Sequence, residues 1–183
     1  LDGETRQLMI EEIELDLANG RLYLSSYLSP IGRIAWPGIL LEAAKGGDDE
    51  TAIAGLSMGN NFRSHVEKRV AGGGTTTAKV PYTAAATFAG CEFNVYYHRA
   101  LARRAIDNGW MLEVYRAKAS SQPRRESALM VGKILDPKVV LNDLRKRANG
   151  QSQIGFAQPN SGLTVRLVEI PDAHAANDNE RTI

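Results

Sequence analysis

The sequence predicts an α+β fold: a helix-rich single domain with a small sheet and an extended C-terminal tail. Three observations carry that expectation. Most apolar residues lie in stretches closed by helix caps or glycine stops, only two segments alternate well enough to be strands, and the chain ends in the polar run "PDAHAANDNERTI". With 183 residues, 43% hydrophobic and 23% charged, the chain has a globular composition and the length to bury a core.

The first expected element is a helix over roughly residues 4–18. There Leu8, Met9, Ile10, Ile13 and Leu17 are interleaved with Glu11, Glu12, Glu14 and Asp16, and Asn19-Gly20 supplies the stop. Residues 21–47 contain Pro30, Pro37 and two internal glycines, which predicts a broken helix, surest over 39–45 and ended by Gly46-Gly47. Asp48, Asp49 and Glu50 suit the positive end of a new helix, which continues over 51–57. The glycine- and threonine-rich residues 71–81 read as a flexible linker or mobile loop. It divides an acidic helical part, 1–70, from a basic α+β part, 82–170, with a polar tail at 171–183.

In the basic part, residues 83–89 look helical, Gly90 breaks the helix, and Asn94 caps a second one that ends at Gly109. "WMLEVYRAK" alternates as a strand, with Trp110, Leu112 and Val114 on one side. Asp136-Pro137 opens a helix that runs to about Arg147, where three basic residues suit the C-terminal end. "GLTVRLVEI" supplies the second strand. The sheet is therefore expected to use roughly 111–118 and 162–170.

A net charge of +1 conceals a polarised distribution. Residues 1–60 carry ten acidic and four basic side chains, whereas 97–149 carry twelve Lys/Arg against five Asp/Glu. Such polarity suits intramolecular neutralisation, head-to-tail subunit contacts, or a basic face for nucleic acid. The single Cys91 excludes an internal disulfide and suits a reducing, cytoplasmic location. Together with His65, His98 and His174, it is too few for a structural zinc site, so no metal and no cofactor is expected. No apolar run approaches the ~20 residues of a membrane span, and no apolar leader opens the chain, so no membrane partner is expected.

Several motifs fail on inspection. Gly55-Leu56-Ser57-Met58-Gly59 matches a nucleophile-elbow pattern, and Asp172 and His174 would complete a triad in hydrolase order. However, an elbow needs a strand entering the serine, and this serine ends a helix. Glu113 and Lys118 would be the acid and lysine of a metal-dependent nuclease, yet an odd separation puts them on opposite faces of a strand. "AGGGTTTAK" lacks the spacing of a phosphate loop and runs into Val80-Pro81, where the proline has no amide to donate.

The stretch "YTAAATFAGCEFNVYYHRALARRAIDNG" resembles a helix-turn-helix. Gly90 stands at the turn and Ala85, Ala86, Ala89 and Cys91 allow close helix approach, although Tyr96 and Arg99 occupy positions where aliphatic residues are usual. Tyr97, Leu101 and Ala105 form a core stripe, while Tyr96, Arg99 and Arg103 share another face bordered by Arg104. With Arg116, Lys118, Arg124 and Arg125, these residues make the predicted nucleic-acid-binding set. Pairing of the same arginines with Glu11, Glu12, Glu14 and Asp16 is the alternative. The functional expectation is a non-enzymatic, homo-oligomer-forming protein that binds DNA or RNA through a basic helical face. The alternatives are a self-assembly subunit with head-to-tail charge complementarity and a metal-dependent nuclease or hydrolase.

Overall fold

The computed structural model describes residues 1–118, 125–147, 152–156 and 161–169. The first helix, α1 (Gly3–Ala18), is capped by Asp2, whose carboxylate accepts from the Thr5 amide. Its buried residues are Thr5, Met9, Glu12, Ile13 and Asp16. Their spacing is helical, but the buried stripe contains two acids, so this helix needs a cationic partner and not only an apolar one.

One helix, α2 (Pro30–Gly46), replaces the expected broken segment. Pro30 sits in its first turn, where no amide donor is needed, and the helix continues through Pro37. Ser29 caps it by accepting from the Gly32 amide, and α2 buries Trp36 and Leu40. Gly32 is required by contact: a Cβ there would lie 2.0 Å from the Asn61 carbonyl oxygen. The next helix, α3 (Asp49–Ser57), starts in a capping box between Asp48 and Thr51.

The supposed linker is a β-hairpin. Strand β1 (His65–Arg69) pairs antiparallel with β2 (Thr75–Lys79) in the register His65↔Lys79 to Arg69↔Thr75. Gly72, Gly73 and Gly74 all have positive φ, so the glycines turn the chain and do not loosen it. The three threonines have the β-branched form that strands favour.

The helix-turn-helix expectation is also corrected. Residues 84–108 form one continuous 25-residue helix, α4 (Ala84–Asn108), closed by Gly109 in the left-handed conformation. Gly90 lies inside it, buried, with room for a Cβ only at 3.4 Å from Ile53 of α3. A glycine costs about 1 kcal/mol against alanine in a helix, which does not stop a helix packed on both sides. Asn94 caps nothing: its side chain donates to the Gly90 carbonyl one turn earlier, at 2.7 Å.

The second sheet joins β3 (Met111–Arg116), β4 (Ile134–Leu135) and β5 (Leu163–Val168), all antiparallel in the order β4-β3-β5. A short helix, α5 (Arg125–Met130), precedes β4, and α6 (Pro137–Lys146) follows it, capped by Asp136. The predicted strand positions and the α6 start hold within a residue or two. Two apolar clusters share α4. One gathers α1, α2 and α3 around Trp36, Leu40 and Phe88, and the other gathers the sheet and α6 around Leu112, Val114, Leu144 and Val165. Both apolar clusters thus pack along one helix, α4. The tail at 171–183 lies outside the described residues, and no described helix is long and apolar enough to cross a membrane.

Candidate functional site

The predicted basic face of α4 is consumed within the fold. Arg99 and Tyr96 are each 1% exposed. The Arg99 guanidinium donates to Glu12 at 2.8 Å through Nε and to Asp16 at 2.5 Å through Nη1, and the Tyr96 hydroxyl donates to Asp16 at 2.9 Å. Arg103 meets Glu11 at 2.7 Å, and Arg104 meets Asp2 at 2.8 Å and Glu4 at 2.9 Å. These pairs run in opposite order along the two helices, so α1 lies antiparallel on α4. Arg145 of α6 closes the cluster from outside, reaching Glu12 at 2.5 Å.

The electrostatics follow from this geometry. Burial alone pulls the Glu12 carboxyl upward, but the Arg145 hydrogen bond and the Arg99 charge outweigh it, and its pKa ends below the usual glutamate value. Asp16 is likewise pulled up by burial and held down, on balance, by Arg99 and Tyr96. Neither Tyr96 nor Arg99 can touch a phosphate without dismantling this cluster. The alternative reading, arginines paired with α1, describes the contacts.

The remaining predicted residues are scattered. Arg116 is half-buried and donates to the Ser161 carbonyl at 3.0 Å. Lys118 pairs with Asp49 at 3.1 Å, and Arg125 is exposed at the start of α5. Arg124 lies outside the described residues. Glu113 is occupied by Arg166 at 2.8 Å across the β3–β5 pair. The Ser57 hydroxyl donates to the Ile53 carbonyl at 2.7 Å on the last turn of α3, with no strand leading into it. Asp172 and His174 lie outside the described residues.

What the fold leaves open is the hairpin. Every residue of β1 and β2 is exposed except Val66 and Ala78, which are intermediate and face each other across the ladder. The ribbon is rooted by the Arg63 amide on the Tyr27 carbonyl at 2.9 Å and the Val80 amide on the Ser64 carbonyl at 3.0 Å. Beyond that root both outer edges of the ribbon are unpaired among the described strands. Residues 63–80 hold Arg63, Lys68, Arg69 and Lys79 against the single acid Glu67. None of these four cations forms an ion pair with a described carboxylate. His65, Glu67, Arg69 and Lys79 fall on one face, and Lys68 with Thr76 on the other, by the alternation of the ladder.

Sequence reasoning passed over these residues because the glycine run was read for its flexibility. The available signal was the pairing of "HVEKR" with "TTTAK" across a glycine cluster, which is a hairpin pattern. Comparison with protein families, with curated sequences and with solved structures finds no match to this chain.

Proposed function

We propose that the chain is a non-catalytic, oligomer-forming protein that binds nucleic acid through the β1–β2 ribbon, with the α4 face reassigned to internal packing. The observation that carries this reading is a two-stranded ribbon, exposed on both faces, whose Lys68, Arg69 and Lys79 have no carboxylate partner among the described residues. An isolated hairpin is marginal in water, so a contact element of this kind gains order when it docks. The B-form major groove is wide enough to admit a two-stranded ribbon such as this one. Lysine and arginine would meet phosphates, and the Thr75–Thr77 hydroxyls can hydrogen-bond the same backbone.

Three neutralised phosphates give a slope of about −2.7 in log K against log salt, or a roughly forty-fold loss of affinity between about 50 and 200 mM salt. Fluorescence anisotropy of a labelled duplex at the two concentrations tests this. Binding with that slope supports the reading, and no binding at the lower salt refutes it.

A second reading, a self-assembly subunit, is favoured by a separate observation. Ile31 and Ile34 on the first turns of α2 are 60% and 83% exposed, and Met58 is 69% exposed in the loop that the α2 cap holds. Adjacent exposed apolar residues of this size suit a protein contact. Light scattering across concentration tests it, and a monomer throughout removes it along with the oligomer formation in the first reading.

A further inference from the structure

A cleft of about 460 Å³ lies between α3, the first half of α4 and the facing ends of β3 and β5. That volume falls in the range of roughly 300–1,000 Å³ that holds small molecules. Small residues on α4, Ala86 and Gly90, help leave the space open. Tyr97 and Tyr115 line it, together with Thr87, Asn94 and Thr164, of which Asn94 also bonds the Gly90 carbonyl and Thr164 also bonds His98. At the mouth, Lys118 is already matched by Asp49, and Glu50 beside them disfavours an anion.

His98 lines the same cleft. His98 is 1% exposed, its Nε2 lies 2.9 Å from the Thr164 hydroxyl, and its Nδ1 meets nothing among the described residues. Burial pushes its pKa down to about 3, so the ring is neutral at ordinary pH.

We propose that this cleft binds an uncharged heteroaromatic molecule, its ring packed against Tyr97 and Tyr115 and its polar edge answered by Asn94, Thr87 and Thr164. The site is separate from the ribbon, and the proposal does not depend on nucleic-acid binding. Cys91, the chain's sole cysteine, lines the same cleft and reports occupancy. Burial pushes its thiol up to about 12, so its alkylation is slow and easily followed by mass spectrometry.

The probes are adenosine, cytidine and nicotinamide, with adenosine 5′-monophosphate as the charged comparison. At about four times its Kd, a binding probe slows Cys91 labelling about five-fold. Saturation-transfer NMR gives an independent readout. Ala86→Trp, at an exposed position on the rim, should abolish the saturation transfer while the far-ultraviolet dichroism stays unchanged. The proposal is overturned if none of the three uncharged probes binds, if the monophosphate binds as well as adenosine, or if Ala86→Trp leaves binding intact.

Discussion

Replacing Arg99 with methionine removes the centre of the α1–α4 cluster while keeping a side chain of similar length. Two buried carboxylates then lose their principal cation, since Glu12 is 1% and Asp16 5% exposed. Breaking a buried pair this way costs about 3–5 kcal/mol. The lower end applies, because Arg145 still reaches Glu12, Tyr96 still donates to Asp16, and Arg21 lies 3.6 Å from Asp16. A loss of about 3 kcal/mol lowers Tm by roughly 6–12 °C for a chain of this length.

The pH dependence gives a second handle. In the native protein both carboxyls are held below their unfolded pKa, so their contribution is complete above about pH 5 and is lost as pH falls through the folded values. In Arg99→Met, burial is opposed by fewer partners, so both carboxyls move upward and the variant loses less stability than the native protein on acidification. Urea unfolding at about pH 7 and about pH 4 should therefore show a gap of about 3 kcal/mol that narrows in acid. A neutral-pH gap under about 1 kcal/mol, or one that stays constant with pH, would refute the assignment of this cluster.

Three further outcomes are expected. His98 stays neutral in the fold while its unfolded counterpart protonates near 6.5, so stability erodes as pH falls from about 6.5 towards 3, by at most about 1.4 kcal/mol per pH unit. His98→Gln, which keeps a hydrogen-bonding group but does not titrate, should flatten the urea-unfolding profile in that window; parallel profiles would contradict this. Gly32→Ala places a Cβ 2.0 Å from the Asn61 carbonyl, and thermal unfolding should show a loss of about 2–3 kcal/mol. Exchanging residues 65–79 for a short Gly-Ser turn removes no buried side chain, so stability should change by under about 1 kcal/mol.

Much of the architecture was legible. Asp136-Pro137 announced α6, and "MLEVYR" and "LTVRLV" announced β3 and β5, because caps and alternation are local signals. Gly90 misled because its effect depends on what packs against it: α3 and the sheet hold α4 straight, and that is tertiary information. Gly72–Gly74 misled because flexible and sharply turned glycines look alike until the flanking strands pair. The arginines posed the hardest question. Arg99 and Arg103 recur on one helical face whether that face meets phosphates or carboxylates, and the decision rests with Glu12 and Asp16, more than eighty residues earlier in the chain. Their four-residue spacing in α1 matched the arginine spacing in α4, but only the antiparallel docking of the two helices made the match visible.

The most direct test compares two variants in the same nucleic-acid titration at low salt. Lys68→Ala/Arg69→Ala/Lys79→Ala should bind a labelled duplex far more weakly than the native chain and lose most of its salt dependence. Arg103→Ala/Arg104→Ala should be less stable yet bind as the native chain does. Binding that survives the ribbon changes and disappears with the α4 changes would contradict the account and return the interface to the helix.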